Sequence, residues 1–406
     1  LLALQAGEAV VPAMVGFLVT GIGLPVLGIV AVGLAGTIRD LAARVHPLFA
    51  SVFVAAVYLA IGPCLAIPRT SSTSFEMFEP LLPAGVSLEV ARLVFSVAFF
   101  AVAYLLAMHP SALTRLLGRI TGPALIVLLV FVIGAALFDP ASVQQAAHAS
   151  YASAPAMSGF LTGYQTMDLL ASLTFGIVIA TNIRELGATD DAGLAREVSR
   201  AGVFAGLLMG LIYCGLAMVG LGVAAELPGA TNGAEILAAS AGMHFGAVGT
   251  VVVAAIFLLA CLNVCIGLIS CCGTYFADVV PRVPYRMWAL GFAVFSCVVS
   301  NFGLDAILTF SVPLLNALYP TAIVLVVMGM LHKVCDRMPL LWPWVVCLTA
   351  VVSIATALRD AFFAGAWLPF DQLPFADVGM NWVVPALCGV AAAIVHAAVR
   401  RNKDAA

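Results

Sequence analysis

Eleven times along this chain a run of mostly apolar residues, most of them near twenty in length, precedes an interruption by glycine, proline or charge. A bilayer core needs about 20 apolar residues per helix, so each run predicts one crossing. The expected spans are Pro12 to Gly36, Leu48 to Ile67, Val90 to His109, Ile120 to Phe138, Gly159 to Ile183, Ala201 to Ala225, Phe245 to Cys271, Tyr285 to Val299, Leu304 to Leu331, Leu341 to Leu358 and Trp382 to Val399. At 63% hydrophobic and 9% charged residues, the surface of a water-soluble core would run out of polar cover. The expected class is an all-α integral membrane protein, one transmembrane domain over 1–406. Its main partner is the lipid bilayer, and without a basic cluster it has no nucleic-acid partner.

The charges orient the spans. Of the 17 Lys and Arg, all but Arg69, Arg92 and Arg359 fall in alternate loops, such as those holding Arg39 and Arg44, or Arg400, Arg401 and Lys403. Cytoplasmic loops collect positive charge, so the C-terminus is expected in the cytoplasm and Leu1 outside. The opening LLALQAGEAVVPAM has neither an initiator methionine nor a charged leader, and an outside start suggests that one span precedes it. The ten cysteines sit in apolar runs or beside Arg-bearing loops without metal-ligand spacing, and read as small buried hydrophobes. The outer loops Asp139 to Ser158 and Glu226 to Gly242 carry no Lys or Arg and read as exposed connections.

One span stands apart. GFLTGYQTMDLLASLTFGIVIATNI carries Asp168 in an apolar run, and its Ser172-Leu173-Thr174-Phe175-Gly176 stretch predicts a break in the helix. A broken turn offers free amides and carbonyls to a zwitterion; Phe175 offers an aromatic face, and Ser172 and Thr174 offer hydroxyls. A packed glycine kink at Gly176 explains the same residues. Asp168 is either a hydrogen-bond acceptor within the bundle or a cation-coupling carboxylate. Pro63 and Pro68 predict freed carbonyls at the end of the second span, within reach of the Thr70 to Ser74 hydroxyls. Asn263 places an amide oxygen at mid-membrane, as part of a sodium shell or as interhelical glue. Asp305 reads as a helix-start carboxylate. A weak likeness between Ala66 to Glu76 and Gly267 to Ala277, on oppositely directed spans, hints at inverted repetition.

Taken together, GPCLAIPRTSSTSFE, GYQTMDLLASLTFGIVIATNI and LACLNVCIGLISCC resemble the bacterial branched-chain amino-acid sodium symporters of the amino-acid–polyamine–cation superfamily. LQAGEAVVPAMVGFLVTGIGLPVLG and SNFGL extend the likeness end to end. The resemblance implies a leucine-transporter-type inverted repeat, with the rest of the first repeat at about 1–138, the second at about 159–331 and two further spans at about 341–399. The family's first span is expected before Leu1. It also implies secondary active uptake of leucine, isoleucine or valine across a bacterial inner membrane by alternating access, with sodium as the coupling ion, no other cofactor and no enzymatic step. By similarity Thr174, Phe175 and Gly176 line the substrate pocket, and Ala260 with Asn263 holds sodium. The family's hydroxyl positions here are Asn263, which offers an oxygen, and Val264, which does not. A proton-coupled or exchange-type carrier is the near alternative. An intramembrane aspartyl protease is remote, since Asp168 and Asp305 lack its Gly-x-Gly-Asp motif.

Overall fold

Apolar runs satisfy their backbone groups inside a bilayer by coiling, and every regular element of the computed structural model is helical among the residues it describes, 1–83, 85–108, 112–138, 146–175, 191–224, 226–227, 229–338, 340–363 and 366–404. The helices used below are α1 (Leu2–Ala35), α2 (Pro47–Leu81), α3 (Leu88–Met108), α4 (Ala112–Phe138), α5 (Pro155–Thr162), α6 (168–175), α7 (Asp191–Val223), α8 (Gly233–Val279), α9 (Tyr285–Ser300), α10 (Leu304–Met330), α11 (Leu341–Phe362) and α12 (Val383–Asp404). Eight of these described helices are long and apolar enough to cross a membrane, and shorter apolar helices lie at Tyr285–Ser300 and Val383–Ala397. The predicted span Gly159 to Ile183 appears as α5 and α6, and its remainder lies outside the described residues.

Two compact units form, neither of them a continuous half of the chain. One holds Leu1–Val11, Tyr58–Ala152 and Leu211–Phe310. The other holds Pro12–Val57, Ser153–Gly210 and Ser311–Ala406.

In the first unit α2 breaks where Pro63 withholds an amide, and Gly62 leaves helical geometry at φ −93, ψ −121. The carbonyl of Pro63 accepts the Ser296 hydroxyl at 3.4 Å, and that of Tyr58 accepts the Cys272 thiol at 3.5 Å. The helix does not end with the expected second span at Ile67. It continues as Ala66–Phe78, mostly buried, with Thr70 and Ser74 donating to the carbonyls of Ile67 and Thr70. Hydroxyls that bond the preceding turn carry polar residues through an apolar setting.

The expected loop Glu226 to Gly242 is corrected in the same way. Asn232 caps a helix, its Oδ1 accepting the N–H groups of Ala234 and Glu235 at 3.0 Å. The first leg of α8 is largely buried and bends at Gly246, whose φ of 62 a side chain rarely allows. Its Ala, Gly and Ser content hid a helix because small residues serve close packing as readily as exposure. Asp305, in the first turn of α10, accepts from Thr231 and Asn232 at 3.0 and 3.2 Å, which ties that cap in place.

In the second unit Arg44 reaches both carboxylate oxygens of Asp336 at 2.9 and 2.7 Å and lies over the Trp342 ring, whose N–H donates to Asp336 at 3.0 Å. Cys214, Cys347 and Cys388 are exposed among the free thiols, against the expectation of burial, because lipid-facing positions accept them equally.

The segment joining α11 to α12 is pinned by Asp371. Its Oδ2 accepts the Leu368 N–H at 2.9 Å, and its Oδ1 pairs with Arg359. The Leu368 N–H, then the Arg359 guanidinium, hold the Asp371 carboxyl below its ordinary value. A depressed folded-state pKa contributes stability above the unfolded value of about 3.9, and this is lost as pH falls through the lower folded value. Amide exchange in 366–382 is therefore expected to rise only under strong acid in the parent chain. Asp371→Asn should show the faster exchange at neutral pH, and equal exchange at neutral pH would refute the pin.

Candidate functional site

Small residues let α1 and α5 approach backbone to backbone. A β-carbon at Gly16 would lie 1.8 Å from the Ala156 carbonyl oxygen, one at Gly159 1.9 Å from that of Ala13, and one at Gly163 1.8 Å from Thr20 Oγ1. Gly159 and Gly163 stand four apart, the spacing that brings membrane helices together. In α1, Gly16 and Gly28 both pack against a neighbouring helix, Gly28 facing Ser172.

Both helices are distorted where they meet. α1 widens into a π turn at Val19–Gly23, and α5 tightens into a 3-10 turn at Gly163–Thr166. Thr20, fully buried in the π turn, donates to the Phe160 carbonyl at 2.7 Å. Met167 then takes φ 62, ψ 6, a left-handed conformation that costs a side chain roughly 1–2 kcal/mol. α6 starts at Asp168. Strain of this size in a buried methionine is retained where the surroundings over-determine it, commonly at functional sites.

An interruption falls at Gly163–Met167, ahead of the stretch expected to carry one. Ser172, Thr174 and Phe175 are helical, and Gly176 lies outside the described residues. Ser172 donates to the Leu169 carbonyl at 2.7 Å, and Thr174, fully buried, to that of Ala171 at 2.9 Å. Their hydroxyls complete their own helix, and Phe175 is half-buried. The structure brings Asp168, from the predicted set, to the break itself.

Residues not singled out from the sequence complete the arrangement. Tyr164, in the 3-10 turn, stacks on Tyr319 of α10 with ring centroids 4.4 Å apart, and Gln165 Oε1 accepts the Ser311 hydroxyl at 2.9 Å. Tyr319 precedes Pro320, which leaves the Asn316 carbonyl without its helical donor. The Tyr319 hydroxyl faces Thr166, the Leu169 amide and Asp168. Yet both tyrosine hydroxyls are buried outside hydrogen-bond geometry with any partner among the described residues. Leaving each unsatisfied costs about 1–3 kcal/mol. The site thus gathers the carbonyl end of α5, the amide end of α6, two unengaged hydroxyls and a carboxylate. Carbonyls and carboxylate suit an ammonium; amides and hydroxyls suit a carboxylate. The signal that marks this point in the sequence is the polar run Gly163-Tyr164-Gln165-Thr166-Met167-Asp168.

Ala260 and Asn263 belong to the other unit, on the regular part of α8 beyond Gly246. Cys261 and Cys265, on one face, lie by Ser74 and Thr70 of α2. Asn263 is about 200° around the helix from Cys261 and half-buried. Val264 is 52% exposed, and a β-carbon at Gly267 meets nothing within 4 Å, so this face is open within its unit. Among the described residues no group of three or more His, Cys, Asp or Glu is placed to hold a metal ion.

The fold is similar to that of Mhp1. Against the inward-facing conformation of Mhp1 the TM-score is 0.60 at 13% identity, over 98% of this chain and 88% of that one. Against Mhp1 closed with bromovinylhydantoin bound, a nucleobase-cation-symport-1 family transporter, it is 0.56 at 13% identity, over 97% and 87%. The fold defines a multi-pass helical membrane protein, and the family and relatives that follow make it a transporter and not an enzyme. The match to the family model for the branched-chain amino acid transport protein runs over residues 1–400, and the chain belongs to that family. It is 37% identical to the branched-chain amino acid permease BraB of Bacillus subtilis, over 95% of this chain and 87% of the relative. It is 38% identical to the branched-chain amino acid transport system 2 carrier protein of Pseudomonas aeruginosa, over 97% and 90%. To the permease BrnQ of Escherichia coli it is 34% identical, over 97% and 89%.

Proposed function

We propose that the chain carries leucine, isoleucine and valine inward across a bacterial inner membrane, driven by sodium. The observation that carries this reading is the interruption at Gly163–Met167, with two buried hydroxyls that find no partner among the described residues, in a chain of this family. The zwitterionic head group binds at the break between α5 and α6, where it engages Tyr164, Tyr319 and Asp168, and its aliphatic side chain lies against apolar neighbours. Helices α1 to α4 and α7 to α12, with the α5–α6 pair, make eleven crossings, of which those up to α10 belong to an inverted repeat. The charge distribution favours a cytoplasmic C-terminus.

Sodium binds the Ala260 carbonyl and the Asn263 amide oxygen, completed by oxygens from other elements. Its binding favours the outward-open form and raises amino-acid affinity, and by reciprocity the amino acid tightens sodium by the same factor. Exposure of the site to one side and then the other accomplishes transport.

Replacing sodium by choline at constant pH is expected to reduce labelled leucine uptake into proteoliposomes by at least tenfold, and Asn263→Ala to raise the half-saturating sodium concentration by about tenfold. Undiminished uptake in choline that follows an imposed pH gradient would establish the proton-coupled carrier instead.

A further inference from the structure

The cytoplasm-directed end of α7 carries a feature that substrate transport does not use. An open surface pocket of about 620 Å³ lies against Arg196, Ser199, Arg200, Val203, Phe204 and Leu207. At 100° per residue all six fall within an arc of about 140° on one helix face. Polar and apolar residues are segregated along that face. Arg196, Ser199 and Arg200 occupy one end, and Val203, Phe204 and Leu207 follow at 52%, 73% and 67% exposure. The rise from Arg196 to Leu207 is about 16 Å, close to half the ~30 Å hydrocarbon core, which is one leaflet.

Arg200 is paired with Glu197 at 2.8 Å, and Glu197 offsets one of the two positive charges. Among the described residues the Arg196 charge is left over to meet an anion. An Arg fork matches phosphate oxygens in pairs, and the exposed apolar stripe needs hydrocarbon cover. We propose that this face is a binding site for one anionic phospholipid, with its phosphate on Arg196 and Arg200 and an acyl chain along Val203, Phe204 and Leu207. The charge of the headgroup complements the basic end, and the chain completes the lipid-facing surface of α7. The leaflet follows from the orientation proposed above, whereas the site itself does not depend on which substrate is carried.

The test counts lipids. Full-length protein is taken from nanodiscs of equimolar phosphatidylglycerol and phosphatidylcholine, and retained lipids are measured by native mass spectrometry. Arg196→Gln with Arg200→Gln is expected to lower retained phosphatidylglycerol roughly tenfold and leave phosphatidylcholine unchanged. Arg282→Gln with Arg286→Gln removes the same charge elsewhere and should change neither. Equal retention in the first pair, or equal loss in both pairs, would overturn the site. So would displacement of the lipid by inorganic phosphate alone, which marks an ion site, or Phe204→Cys cross-linking to a second copy. If the glutamine pair does not fold, the wild-type chain decides. A phosphatidylglycerol with a photoreactive acyl chain should label the peptide holding Val203 to Leu207, and labelling confined to other peptides overturns the proposal.

Discussion

Gly159→Ala is expected to lower stability by about 3 kcal/mol and to abolish transport. Overpacking a core costs roughly 1–3 kcal/mol when side chains can move aside. Here the new methyl group would lie 1.9 Å from a backbone oxygen and 2.7 Å from the carbonyl carbon of Ala13, so two helices must part. Separation breaks the Thr20 bond to Phe160 and loosens the 3-10 turn that holds Tyr164. The proper control is Gly134→Ala in α4, where a β-carbon meets nothing within 4 Å and a helix gains about 0.5–1 kcal/mol. Melting in detergent, followed by size-exclusion chromatography, checks the pair. If Gly159→Ala melts with Gly134→Ala, the close approach of α1 to α5 is not what organises the site.

Tyr319→Phe should separate stability from transport. The hydroxyl is buried with no partner in hydrogen-bond geometry among the described residues, so its removal relieves a desolvation cost, and the empty protein is expected to become more stable by about 1 kcal/mol. A hydroxyl that hydrogen-bonds the substrate is lost at the same time. The KM for leucine is then expected to rise by about 10- to 100-fold, equivalent to roughly 1.4–2.7 kcal/mol. Tyr164→Phe should behave alike, because the two rings stack and their hydroxyls share one surrounding. A more stable protein with an unchanged KM would remove both tyrosines from the binding site. A gain in stability with a loss of affinity is a combination that a purely structural tyrosine does not produce.

Membrane spans were legible because each crossing writes its own length in apolar residues. The interruption was legible only in part. Gly176 and the hydroxyls of Ser172 and Thr174 look like a weak helix, yet both hydroxyls close on carbonyls of the preceding turn. The Gly163 to Met167 run looks milder in composition and is where the backbone departs from the helix. What forces the break there is contact: Thr20 claims the Phe160 carbonyl, and Gly163 has no room for a side chain against Thr20. Neither fact is local to the span. The capped helix beginning at Gly233 was missed for a related reason, since alanine and glycine are compatible with exposure and with tight burial alike.

The order of residues by itself determined that this chain lives in a bilayer, that its spans are helices and which family it joins. These follow from local quantities, namely apolar length, missing amides at proline and motif identity, which no distant contact can alter. The tertiary structure decided where the helix opens and which polar groups are left unengaged there. A backbone bond in an apolar medium is surrendered only to another partner, and at Gly163–Met167 that partner comes from a segment some 140 residues away in sequence.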